Sequence, residues 1–127
     1  MPRFASETRE LEILQEFHRK VRIANSERDW QPVEDMIDEK AILRTKGKVT
    51  EGRAAIVELV RILAQMRYKI AVVGPRGGLI SVLVSPPSTT RRVEHEQIYR
   101  IHNDKIVELI DLGRTPNQVY RLRSQPN

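Results

Sequence analysis

A chain of 127 residues, 39% hydrophobic and 31% charged, has the length of one domain and can bury roughly two thirds of its unfolded surface. It contains no cysteine, which excludes disulfides and thiolate metal sites, and no apolar run approaches the ~20 residues that a membrane span needs. The net charge of +5, from 22 basic and 17 acidic residues, is dispersed among alternating signs, with local concentrations only at Arg91-Arg92 and Arg121/Arg123, so nucleic-acid binding is not expected.

The first element predicted is a helix. Ser6 is an acceptable N-cap with Glu7 and Glu10 in the first turn, and Leu11, Leu14, Phe17, Val21 and Ala24 recur at three- and four-residue steps to about Ser26. Residues 1–6 read as a loose lead. Glu7, Glu10 and Glu12 interrupt any signal-peptide pattern, and the cytoplasm is the default compartment. His18 flanks the apolar stripe and is expected at the helix edge, partly in solvent. Asp29 can cap a second, short helix starting around Trp30–Pro32, with Val33, Met36 and Ile37 as its apolar face. Trp30 is either a plug between the two helices or a wall of a cavity.

Ala41–Thr45 and Lys48–Thr50 form a short hairpin about Gly47, and a third helix, Arg53–Met66, carries Ile56, Leu59, Val60 and Leu63 on one side. Two strands follow, Arg67–Val73 and Leu79–Ser85, separated by the loop Gly74-Pro75-Arg76-Gly77-Gly78. A second loop at Pro86–Thr90 leads to the longest alternating stretch, Arg91–Ile101 and Lys105–Gly113, and a polar tail covers 115–127. The tail, like residues 1–6, is expected to be flexible, and no linker divides the chain.

In the last hairpin, alternation predicts two faces. Val93, His95, Gln97, Tyr99, Ile101, Val107, Leu109 and Asp111 fall on one; Glu94, Glu96, Ile98, Arg100, Ile106, Glu108, Ile110 and Leu112 fall on the other. With no glycine to adopt positive φ, a three-residue loop at His102–Asp104 is preferred to a two-residue type I′ turn. That register sets Gln97 opposite Leu109 and His95 opposite Asp111. The first face, apolar but dotted with polar groups that need partners, suits the floor of a pocket. The predicted fold is α+β: three helices on a strongly curved, mostly antiparallel sheet, enclosing a conical hollow.

Three stretches then carry a resemblance. Asp29-Trp30 through Asp38-Glu39-Lys40-Ala41, Glu51-Gly52-Arg53-Ala54-Ala55-Ile56, and Asn103-Asp104-Lys105-Ile106-Val107-Glu108 followed by Asp111 together resemble the nuclear transport factor 2-like superfamily, in its SnoaL-like branch, over roughly residues 7 to 114. That group holds polyketide cyclases, ketosteroid isomerases and epoxide hydrolases beside non-catalytic transport and assembly modules. The resemblance implies a cone-shaped domain with a small-molecule pocket. Members similar to this chain carry a histidine–tryptophan pair before the last-strand carboxylate, where Leu109 and Ile110 stand here, so Asp111 alone carries over. Arg44-Thr45-Lys46 occupies the hairpin where the isomerases hold an acidic residue beside a proline, which argues against their chemistry.

Asp111 is the candidate general base, desolvated on a core-facing strand, or else a structural carboxylate. His95 is its candidate partner, or a satisfied core residue. Gln97 and Tyr99 could polarise a ligand carbonyl, with Phe17, Trp30, Met36, Leu59, Leu63 and Leu109 as apolar walls. His95 and Asp111 are too few to retain a metal, and no glycine pattern fits a phosphate loop or a dinucleotide, so neither metal nor cofactor is expected. The reading is a pocket for a small apolar or ring-containing ligand, with isomerase, hydrolase or cyclase chemistry as one alternative and a non-catalytic dimeric module as the other. Ile98, Ile106, Ile110 and Leu112, rimmed by charge, are the expected homodimer face.

Overall fold

The computed structural model describes residues 3–76, 79–85 and 95–114. In chain order the elements are α1 (Arg3–Glu27), α2 (Gln31–Glu34), β1 (Ile37–Thr45), β2 (Lys48–Glu51), α3 (Arg53–Gln65), β3 (Lys69–Arg76), β4 (Leu79–Ser85), β5 (His95–His102) and β6 (Lys105–Arg114). The predicted helices and strands occur with shifted ends: α2 stops at Glu34, so Met36 and Ile37, expected on its apolar face, follow it, and Ile37 opens β1. Helix α1 begins at Arg3, so Ser6 lies inside it rather than at its start. The N-cap of α2 is Trp30, with no side-chain capping bond, rather than Asp29; Asp29 precedes it and its carboxylate accepts the N–H of Gln31 at 3.2 Å. The expectations for residues 1–2, for the loop residues 77–78 and 86–90, for the strand start at 91–94 and for the tail 115–127 lie outside the described residues.

All six strands form one sheet in the order β2-β1-β6-β5-β4-β3. Neighbours pair antiparallel except β1 and β6, which run parallel, bringing Leu43 beside Leu109. The chain therefore closes on itself, its last strand slotted against its first. Strand β3 forms the free edge opposite β2, which is why it continues through Gly74 and Pro75, where the sequence suggested a loop. Proline cannot donate to a ladder and is tolerated at an edge, and the register shifts between Val72 and Gly74.

One face of the sheet packs on the helices. Leu14 and Phe17 of α1, Val33 of α2, Ile56 of α3, Ile37 of β1, Val82 and Val84 of β4, Tyr99 of β5 and Ile106 and Leu109 of β6 are fully buried against one another. Strand β4 alternates buried and half-buried along its length, the mark of a sheet covered on one side. No helix among the described residues is long and apolar enough to cross a membrane.

The β5–β6 hairpin departs from its predicted register. Asn103 and Asp104 both adopt positive φ, at 51° and 63°, so the connection is the two-residue turn with both central residues left-handed that the lack of glycine argued against. Asn and Asp are the non-glycine residues that tolerate this region best. His102 pairs with Lys105 and Ile101 with Ile106, then a bulge at Val107 shifts the ladder so that Arg100 meets Glu108, Tyr99 meets Leu109 and Gln97 meets Asp111. A second irregularity sets His95 opposite Arg114. The pairing of His95 with Asp111 is thus corrected, and Ile106, assigned to the outer face, is buried in the core.

Candidate functional site

Asp111, half-buried on β6, receives hydrogen bonds on both carboxylate oxygens. The backbone N–H of Gly113 donates to Oδ1 at 2.7 Å and Gln97 Nε2 donates to Oδ2 at 3.2 Å. The first contact depends on Gly113, whose φ of +63° turns its N–H back towards the side chain two residues earlier. Because an ionised carboxylate only accepts, Gln97 must present its amide nitrogen to Asp111 and its oxygen to the other side. There the Tyr99 hydroxyl donates to Oε1 at 2.9 Å. The run Tyr99→Gln97→Asp111 is therefore a directed chain of donors ending on the carboxylate. Burial, then the Asp111 charge, push the Tyr99 phenol up from its ordinary value, so it stays a hydrogen-bond donor and is unavailable as an acid.

Next to this chain is a cavity of about 320 Å³, lined by His18, Val21 and Arg22 of α1, Val60, Leu63 and Ala64 of α3, Tyr68 before β3, Lys69 and Ile70 of β3, and Gln97 of β5. Its size is at the lower end of small-molecule pockets. The walls are mainly aliphatic. Arg22 and Lys69 are exposed and so belong to its rim.

His18 forms part of the wall and, contrary to expectation, is only 5% exposed. Its ring sits edge-on to Tyr99 at 5.5 Å and to Phe17 at 5.2 Å. The spacing explains the burial: Leu14, His18 and Val21 follow at steps of four and three, so His18 belongs to the buried stripe itself. Burial, reinforced by the Arg22 charge, pulls its pKa down to about 3, leaving a neutral imidazole. Among the described residues, its Nε2 is the buried side-chain nitrogen or oxygen atom left without a hydrogen-bond partner. Such an atom costs about 1–3 kcal/mol of desolvation.

The predicted site residues are only partly brought together. Gln97, Tyr99 and Asp111 form one network, and Gln97 and Leu63 line the cavity. Phe17, Tyr99 and Leu109 are fully buried core residues, while Trp30, Met36 and Leu59 pack around that core rather than on the cavity. His95 is displaced to Arg114 along the ladder. Sequence reasoning missed His18, Arg22 and Lys69 as cavity residues, although the four-residue step from His18 to Arg22 places both on one helix face. No group of three or more His, Cys, Asp or Glu side chains able to hold a metal ion occurs among the described residues.

No family model and no curated protein matches the chain. Solved structures do. A de novo designed protein with a curved β-sheet superposes with a TM-score of 0.67 at 16% identity, covering 97% of this chain and 95% of its own. A steroid delta-isomerase from Pseudomonas aeruginosa gives 0.61 at 16% identity, over 92% and 88%. The epoxide hydrolase/cyclase-like enzyme SalBIII, of pyran ring formation in the polyether salinomycin, gives 0.59 at 22% identity, over 84% and 92%. Together with matches to several bacterial NTF2-like proteins of unknown function, these show the nuclear transport factor 2-like fold, an α+β arrangement of three helices on a curved, unclosed six-stranded sheet. That fold serves many chemistries, so it does not choose among them.

Proposed function

We propose that this chain is a small-molecule-binding protein, whose ligand has a compact apolar body and one hydrogen-bonding group, held in the hollow between α1, α3 and β3. The single observation that carries this is a mainly aliphatic cavity whose wall includes His18, a buried imidazole with an unpartnered Nε2. A ligand hydroxyl or carbonyl would supply the missing partner, and Gln97 would offer an amide oriented by Asp111. The cone shape expected from the sequence is part of the same proposal.

Binding is favoured over catalysis by the state of the groups themselves. A histidine held neutral by burial is a good hydrogen-bonding group and a poor base, the phenol of Tyr99 is locked as a donor, and Asp111 is one side chain removed from the cavity wall. The test uses small cyclic ketones and alcohols as probes, watching the His18 ring by NMR, with Ala64→Phe to fill the cavity. Selective shifts of the His18 resonances, lost in Ala64→Phe, would support the reading; shifts that persist unchanged in the filled variant would refute it.

Catalysis remains a second reading because two structures sharing the fold are an isomerase and an epoxide hydrolase/cyclase-like enzyme. It would place proton transfer on Asp111, acting without His95. Asp111→Asn would then remove turnover by roughly 10²–10⁴ while binding survives. We also propose a homodimer through the outer sheet face, now reduced to Ile98, Ile110 and Leu112. Leu112 is 42% exposed, and Glu108, held between Arg44 and Arg100, supplies the charged rim. A monomer mass by light scattering at tens of micromolar would contradict it.

A further inference from the structure

We infer that the ligand of this cavity is an organic anion, a small apolar carboxylate whose hydrocarbon body fills the hollow and whose carboxylate meets Arg22 and Lys69 at the rim. The inference rests on the binding reading above and names the class of molecule that reading admits.

Charge distribution carries it. The ten lining residues include two cations, a histidine and a glutamine, and no aspartate or glutamate. Elsewhere among the described residues, five arginines have carboxylate partners: Arg9 with Asp104, Arg19 with Glu16, Arg61 with Glu58, and Arg44 and Arg100 with Glu108. Arg22 and Lys69 have no ion pair among the described residues, and the stretches outside them contribute few acids: the tail 115–127 contains none. Two cations with no ion pair among the described residues, one on α1 and one on β3, thus flank the same apolar opening.

Geometry makes the two ends complementary. Arg22 is one helical turn beyond His18, roughly 5–6 Å along the same face. A carboxylate at the Arg22 guanidinium would also supply the acceptor for the His18 Nε2–H, and its alkyl or aryl chain would be directed inward towards Val60, Leu63 and Ile70. Arginine binds a carboxylate through two parallel N–H donors, whereas lysine adds a point charge. A neutral alcohol or amide of the same shape gains the apolar contacts and forgoes both.

The experiment compares matched pairs: hexanoate with hexanamide, and phenylacetate with phenylacetamide, by NMR titration of the full chain at low and at moderate salt. The acids are expected to bind about tenfold more tightly than their amides, a difference of roughly 1.4 kcal/mol, and to lose most of that advantage as salt screens the rim. Arg22→Gln and Lys69→Gln, both at exposed positions, should each weaken the acids several-fold and leave the amides unchanged. Amides that bind as well as acids, or variants that weaken both alike, would overturn the anion while leaving the pocket in place. Absence of binding by every probe, charged or neutral, would overturn the pocket and the anion together.

Discussion

Protonating His18 is the sharpest perturbation available, because it forces a charge into a site built to exclude one. The ordinary imidazole pKa is about 6.5 and the folded value is about 3. Between those values the unfolded chain binds the proton and the folded chain does not, so stability falls as pH falls through the window and levels off below it. From pH 7 to pH 4.5 the loss attributable to His18 is about 2–3 kcal/mol, since near pH 4.5 the unfolded imidazole is almost fully protonated and the folded one almost fully neutral. The figure is set almost wholly by the unfolded pKa. For a domain of this size it corresponds to a fall in Tm of roughly 8–10 °C. The assay is urea denaturation from pH 7 to 4.5 for the wild type and for His18→Gln, which keeps a polar side chain and removes the titration. Carboxylates depressed by ion pairs, Glu108 with its two arginines among them, lose their contribution in the same direction on acidification, but equally in both proteins. The difference between the curves isolates His18. Parallel curves would refute the reasoning and place the imidazole in contact with water.

Tyr99→Phe removes the donor to Gln97 Oε1 and leaves that buried oxygen unpaired, so urea denaturation should show a loss of about 1–2 kcal/mol. Gly113→Ala forces a β-carbon into positive φ with no neighbouring atom to clash, so a loss of about 1–2 kcal/mol is expected from the backbone alone. Asp104→Gly should raise stability by about 0.5–1 kcal/mol, read as a higher urea midpoint, because glycine suits the left-handed second position of the turn. The Arg9–Asp104 ion pair forfeited there is some 60% exposed on both sides and contributes little. A lowered midpoint would mean that the ion pair, rather than the turn, governs that end of the hairpin.

The elements were legible because each announces itself locally. Period-three-and-four stripes gave α1 and α3, and alternation gave β5 and β6. The pairing of β1 with β6 was not legible: it joins residues some seventy positions apart, and no local pattern specifies which strands meet. His18 was misplaced for a different reason. A histidine beside an apolar stripe is usually half solvated, and only the packing of Phe17 and Tyr99 around its ring shows that this one is not. Arg22 and Lys69 read as ordinary surface cations until the fold set them around one opening.

The hairpin shows most clearly where alternation stops being informative. A period of two determines which face a residue occupies, but registers that differ by two residues populate the faces identically. The predicted three-residue loop and the observed two-residue turn with a bulge at Val107 differ by that amount. Gln97, Tyr99, Leu109 and Asp111 therefore lie on the foreseen face, while the partner of Asp111 changes from His95 to Gln97. The bulge itself has a cause in composition. With a two-residue turn and no bulge, Glu108 would be carried to the face of Tyr99 and Leu109 would be turned outward. One extra residue keeps Ile106 inside next to the turn, puts Leu109 back in the core, and leaves Glu108 outside between Arg44 and Arg100. The chemical consequence is large. Opposite a histidine, Asp111 would belong to a proton-sharing pair; opposite a glutamine that is itself fixed by Tyr99, it is the anchor of a rigid amide. On the proposed binding role, recognition of a ligand would then fall to the residues of the cavity itself, His18 with its unpartnered nitrogen and the cations of the rim.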